Sequence, residues 1–323
     1  MAVSVQPHEA AGGAAGQDVP QRLGLGVALD MPWMGRGFQV GPPGTDPLGA
    51  ATRRFFAAYQ GRFDYSLLAF QPRDHGRLEA SSYVEAYDAF FEASGCDRRA
   101  FHQTTLNLAS PEAYDRSAIL AVTNELAARY RFEWVVEDLA FWSVRGRALP
   151  YPLPPFLTDE GVAWCIDNVT EVQRALDVPL HIEFPGFTEG ASFRIGSMDA
   201  LDHFRHVAEG TGSFVTIDVG HVLGYLVMEG LDFAAIDRLP LDRCRELHLA
   251  GCTFRDGRFR DVHHGILLDE QIELTELLLE RCPNLVGVTY EDPRFGLDGL
   301  LVPRSVPNFE RLEQLVGRWK GRA

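Results

Sequence analysis

No two cysteines stand at CxxC spacing: the five present, Cys96, Cys165, Cys244, Cys252 and Cys282, are an odd, scattered set. Neither a disulfide framework nor a thiolate zinc knot is indicated, and a reducing cytoplasm fits best. Positive charge is short as well. Thirty Lys and Arg face 45 Asp and Glu, a formal net charge of −15, which argues against a surface for nucleic-acid phosphates or anionic lipid. The expected partner is a small molecule or a neutral-to-basic peptide. The opening "MAVSVQPHEAAGGAAGQDVPQ" lacks a basic n-region and an apolar run long enough for a signal or membrane helix. Residues 1–21 therefore read as a disordered tail, and 22–323, which no low-complexity linker divides, as a single domain. No glycine-rich phosphate loop directly follows a strand-like run, which lowers a nucleotide-binding reading.

What is present is alternation. Eight β-rich runs, at 23–29, 63–70, 101–108, 132–141, 179–186, 213–223, 244–251 and 284–292, are separated by amphipathic stretches. Two of those stretches have readable starts: Ser110 as a cap with Pro111 at the first helical position, and Thr158 followed by acids in the first turn. Parallel strands need crossover helices, so the pattern implies a helix-covered parallel sheet. Eight units in this length suit a (β/α)8 barrel, which takes ~250 residues plus insertions. A doubly wound open sheet is the alternative. The proline-rich "LPYPLPPF" at 149–156 reads as a loop after the fourth strand.

A (β/α)8 barrel carries its active site at the C-terminal ends of its strands. Here those ends are polar. Strand 4 closes on Glu137 and Asp138, strand 5 on Glu183, strand 6 on Asp218 and then His221, and strand 8 on Glu291 and Asp292. His102 lies near the start of strand 3, strand 7 presents His248, and "RDVHHG" follows with Asp261, His263 and His264. Carboxylates inside apolar strands are costly unless paired or bound to a cation. With Lys and Arg scarce in these strands, a metal ion is the economical source of charge, and carboxylate plus imidazole without thiolate suits iron, manganese, cobalt or zinc. Asp261 and His263, two apart on an extended segment, share one side and can chelate one ion. The other histidines are read as structural: His8 in the tail, His203 and His206 on a helix, His181 deeper in the barrel. Glu133 and Glu246, at strand starts, are expected to be solvated or capping, and Cys252 an ordinary small residue.

The stretches "VVEDLAFWS", "LPYPLPPFLTDEGVAWCIDNVTEVQRALDVPLHIEFPGF", "FVTIDVGHVLGY", "LDRCRELHLAGC", "RDVHHG" and "VTYED" resemble the xylose-isomerase-like barrel superfamily. Within it, they resemble the multinuclear non-heme iron-dependent oxidative enzymes of the methanobactin-biosynthesis type. The resemblance covers about residues 100–293. It implies metal ligation by His102, Glu183, Asp218, His248, Asp261, His263 and Glu291, two or three iron ions, and O2 as co-substrate. It also implies a precursor-peptide substrate, presented or not by a separate recognition protein. Glu183, Asp218, His248 and Glu291 match the site shared across the superfamily.

The chain departs from the family where strand 2 usually ends in histidine: it reads "YSLLAF", with His75 only farther on. Asp218-Val219-Gly220-His221 stands for Asp-Val-Asn-Asn, and Cys252 for a histidine. One subsite is then missing or rebuilt, with His221 and Cys252 as the candidates for rebuilding it. His221, also a metal candidate, and Glu137 are the candidate catalytic residues. Two rivals stand beside the oxidative enzyme. One is a mononuclear sugar isomerase or epimerase using manganese or zinc, and the other is a non-catalytic metal- or peptide-binding barrel.

Overall fold

The computed structural model describes residues 21–29, 48–70, 79–187, 194–255, 258–263 and 265–321. The expected tail through residue 20, His8, His75 and His264 lie outside the described residues. Eight parallel strands close into a barrel: β1 (Gly24–Leu29), β2 (Tyr65–Phe70), β3 (Arg98–Gln103), β4 (Val135–Asp138), β7 (Leu180–Glu183), β8 (Phe214–Asp218), β9 (Cys244–Leu249) and β12 (Gly287–Glu291). Every expected run overlaps one of these strands, and closure excludes the open doubly wound sheet. Among the described residues, eight α-helices cover the outside: α1 (Ala50–Ala58), α2 (Ser81–Ser94), α3 (Ser117–Tyr130), α4 (Asp159–Ala175), α5 (Ala200–Thr211), α6 (Val219–Glu229), α7 (Asp269–Arg281) and α8 (Val306–Lys320). No described helix is long and apolar enough to cross a membrane. All five cysteines are free and buried.

Three boundaries bear on expectation, each for a local reason. β3 ends at Gln103 rather than 108 because side chains take the next backbone donors: Thr104 N–H donates to Gln103 Oε1 (3.0 Å), and Thr105 and Leu106 N–H to Glu137 Oε2 (3.1 Å each). His102 therefore stands at the strand's C-terminal end, not its start. α3 begins at Ser117, seven residues after Ser110, whose Oγ only accepts from Glu112 N–H in a turn (3.2 Å). Thr158 does cap α4, its Oγ1 accepting from Gly161 N–H at 3.0 Å.

Two hairpins rise from the C-terminal face. β5 (Phe141–Val144) and β6 (Arg147–Leu153) pair antiparallel, so most of the proline-rich segment expected to be a loop is a strand. The turn between them holds Arg145 and Gly146 at φ 50° and 70°, the left-handed pair that a two-residue hairpin favours. β10 (Cys252–Arg255) pairs with β11 (Arg258–Asp261) in the second.

Inside the barrel the lower layer is tightly filled. The Tyr65 ring lies over two glycines, and a Cβ on Gly26 would come within 2.4 Å of its Cζ, one on Gly287 within 2.6 Å of its hydroxyl. Gly26→Ala should therefore destabilise the barrel by about 1–3 kcal/mol, the usual range for overpacking. A lowered urea midpoint would show it; an unchanged midpoint would mean that the ring yields freely.

Candidate metal centre

Side chains alternate along a strand, and the pairing register tells which face the lumen together. Ala69 lies opposite His102, Asp138 opposite Glu183, Asp218 opposite His248, and Ala28 opposite Glu291. The upper lumen layer thus receives six titratable groups, with alanine on β1 and β2. Ala69 occupies the level at which the family's strand-2 histidine was expected.

Among the described residues, three sets of ligand atoms lie within 4.8 Å of one another: His102, Glu183 and His248; Asp138, Glu183 and His221; Asp218, His221 and Asp261. Glu183 joins the first two sets and His221 the last two. In the first, Glu183 Oε2 lies 3.0 Å from His102 Nε2 and 3.2 Å from His248 Nδ1, which is itself 3.1 Å from Glu291 Oε1. In the third, Asp218 caps α6, accepting from His221 N–H at 2.7 Å. That turn carries His221 Nε2 to 3.2 Å from Asp261 Oδ2. Two imidazoles are fixed by backbone carbonyls: Nδ1 of His102 donates to Gln103 O (2.9 Å) and Nδ1 of His221 to Phe184 O (2.8 Å).

The structure brings most of the expected ligand set together. Six of its eight members, His102, Glu183, Asp218, His221, His248 and Asp261, fall in the three sets. Glu291 borders the first through His248, and Asp218, opposite His248 in the register, falls in a set with His221 and Asp261. His263 lies outside the three sets, although its Nε2 stands 3.9 Å from Asp261 Oδ2. β11 ends at Asp261, whose Oδ1 accepts from His263 N–H (3.2 Å), and His263 turns left-handed (φ 49°). Its other ring nitrogen, Nδ1, meets Asp292 Oδ2 at 3.0 Å.

Glu137, expected to be catalytic, faces away from the lumen and anchors the backbone N–H groups of Thr105 and Leu106. Asp138 is the strand-4 residue that enters the site. Cys252 is buried beneath α6 and belongs to none of the sets; a Cβ on Gly220 would lie 2.9 Å from its Sγ. Glu246 is also corrected: it is fully buried, not solvated. His181 is deep in the lumen as expected, stacked on Trp134 at 5.5 Å.

The electrostatics follow from crowding charges out of water. Burial alone would raise Glu183, but His248 and His102 beside it hold its carboxyl well below the usual range. Burial opposes the His102 cation, yet the Glu183 bond and nearby Asp138 and Glu291 raise it to about 10. Burial pushes Asp138 up to about 6 and Glu291 to about 8. Several ligand atoms remain without an aligned hydrogen-bond partner: Glu183 Oε2, Asp218 Oδ2 and His248 Nδ1. Buried polar atoms normally find partners, so carboxylate and imidazole atoms left facing one another fit divalent metal ions. A cavity of about 120 Å³ opens above them, walled by Ala28, Ala69, Trp142 and Pro152, with His263 and Asp292 also lining it.

Comparison with known proteins agrees with this geometry. The model of the RiPP precursor modification enzyme family MbnB/TglH/ChrH matches residues 96–292, more than half of the chain. The chain belongs to that family. The matched segment runs from the residues just before β3 to Asp292, so every member of the three sets lies inside it. Among curated relatives, a UPF0276 protein of Paraburkholderia phytofirmans is 26% identical over 196 residues, 59% of this chain and 62% of that protein. The chain thus spans about three-fifths of that relative's length. Among solved structures, a xylose isomerase-like TIM barrel protein from Mycobacterium smegmatis in complex with magnesium superposes with a TM-score of 0.53 at 14% identity. The alignment covers 91% of this chain and 97% of that one. D-Psicose 3-epimerase from Clostridium cellulolyticum H10 gives 0.51 at 13% identity, covering 93% and 97%. These likenesses confirm a xylose-isomerase-like TIM barrel for this family member.

Proposed function

We propose that this chain is a multinuclear, iron-dependent oxidative enzyme that uses O2 to modify a side chain of a ribosomally synthesised precursor peptide. One observation carries the reading: three ligand sets overlap through Glu183 and His221 beneath a single cavity. Overlapping sets fit ions held side by side better than one isolated ion. Iron bound there would supply O2 reduction and Lewis-acid activation. The chain's own residues set the geometry. Glu183, with two carboxylate oxygens, would be shared between neighbouring ions, His221, with Nδ1 given to Phe184 O, would offer Nε2 to one of them, and Ala28 and Ala69 leave space on the β1–β2 side for a substrate side chain. Trp142 and Pro152 shield that space from water. His263, held by Asp292, stands at the lining where it can orient an incoming peptide. The free cysteines fit the reducing compartment in which the reading places the enzyme.

Elemental analysis of protein purified without oxygen tests the proposal. More than one iron per chain is expected. One manganese or zinc per chain would favour the sugar isomerase or epimerase instead. No metal after anaerobic iron loading would sink both and leave a non-catalytic barrel.

A further inference from the structure

Beneath the metal sets lies a second buried polar layer that they do not use. Glu246, on β9 two residues before His248, faces the same lumen and is fully buried. Its Oε1 accepts from Tyr65 Oη (2.9 Å) and Thr289 Oγ1 (2.6 Å), and its Oε2 from Trp134 Nε1 (2.6 Å). Side chains from β2, β12 and the residue just before β4 thus converge on one carboxylate. The lumen around them is lined by Leu67, Ala100 and Val136, with the His181 ring stacked on Trp134. A buried carboxylate is costly to desolvate, and three neutral donors leave its charge in place.

That charge faces His248. Glu246 Oε2 lies 3.4 Å from His248 Nε2, while His248 Nδ1, on the other side of the ring, faces Glu183 and Glu291. His102 and His221 have a backbone carbonyl on the ring nitrogen turned away from the site. His248 has none there, and Nε2 has no aligned hydrogen-bond partner. A metal-bound imidazole almost always gives its second N–H to a carboxylate, carbonyl or water, which fixes its tautomer and orientation.

We propose that Glu246 is a positioning residue of the metal centre. It keeps the His248 proton on Nε2, so that Nδ1 presents its lone pair beside Glu183 and Glu291. The inference rests on the reading of the upper layer as a metal site. Tyr65, Trp134 and Thr289 hold the carboxylate in place, and their hydrogen bonds keep it from rotating away from the ring.

The test is a Co2+ titration of the metal-free full chain, followed by visible absorption, for wild type, Glu246→Gln and Thr289→Val. Both variants disturb the lower layer, but only the first removes the charge facing His248. Glu246→Gln should bind Co2+ about 10–100-fold more weakly, the range found when such partners are removed, and with a shifted band. Thr289→Val, which keeps the charge and two of its three donors, should lose clearly less affinity than Glu246→Gln and keep the wild-type band. Equal affinities for wild type and Glu246→Gln, or equal losses in both variants, would overturn the role. A wild type that takes up no Co2+ would overturn the metal reading itself, and the inference with it. Should Glu246→Gln not fold, ring-nitrogen NMR of zinc-loaded wild type decides, with His248 assigned against His248→Gln. A proton on Nε2 is expected; one on Nδ1 refutes the proposal.

Discussion

Glu183→Ala should lose metal at two of the three sets and destabilise the metal-free protein by about 3–5 kcal/mol, the usual cost of breaking a buried ion pair from one side. Both effects come from one carboxylate. Glu183 is 1% exposed and lies at the end of β7, where Oε2 stands between His102 and His248 at 3.0 and 3.2 Å. Its removal leaves two buried imidazoles without the charge that stabilises their cations. Asp138 and His221 lose the third member of their set as well. The loss of affinity should exceed the ~10–100-fold typical of residues that only support a ligand. Metal content per chain and urea midpoints measured on the same preparations check this. Full metal content with an unchanged midpoint would show that Glu183 joins nothing. Glu137→Gln is the contrast: it should leave metal content alone and act only through the Thr105 and Leu106 backbone it anchors.

The distinction between Glu137 and Asp138 shows where sequence reasoning stops. Strand positions were legible because apolar runs separated by helical stretches have few other folds, and Glu183 and Asp218 were legible as acids closing such runs. Which face a residue takes was not. In Trp134-Val135-Val136 both alternations are apolar, so period two leaves no mark, and the inward parity of Asp138 appears only through its pairing with Glu183. His263 falls outside the three sets for another reason. Two residues share a side only while the backbone stays extended, and the chain leaves β11 at Asp261 for a left-handed turn. Glu246 carried a readable signal, its two-residue spacing from His248, but its place at a strand start masked it. The three donors that stabilise it lie 43 to 181 residues away in sequence. Such convergence is a property of barrel closure and not of any local pattern.

The same crowding of charge sets the response to pH. In the metal-free protein, Asp138 is raised to about 6, Glu137 and Glu291 to about 8, and His102 to about 10. Each folded-state value lies above its unfolded reference, so between the two the native state binds more protons than the unfolded one. Stability from these groups is therefore complete below the unfolded values and is lost as pH rises through the folded ones. Glu183 and Asp261 are displaced the other way, Asp261 to about 2. Their contribution is present above their unfolded values and disappears only in acid. The metal-free protein should thus be most stable in mild acid, near about pH 5, with Tm falling steadily toward about pH 9, since a tenfold change in one group's proton affinity on folding is worth about 1.4 kcal/mol. Metal binding requires deprotonated carboxylates and neutral imidazoles, so affinity should rise with pH and binding should release protons. Thermal melts with and without saturating metal should therefore converge in acid and separate as pH rises. Parallel curves across that range would mean that the raised groups do not take part in binding, and that the ions, if bound at all, lie elsewhere.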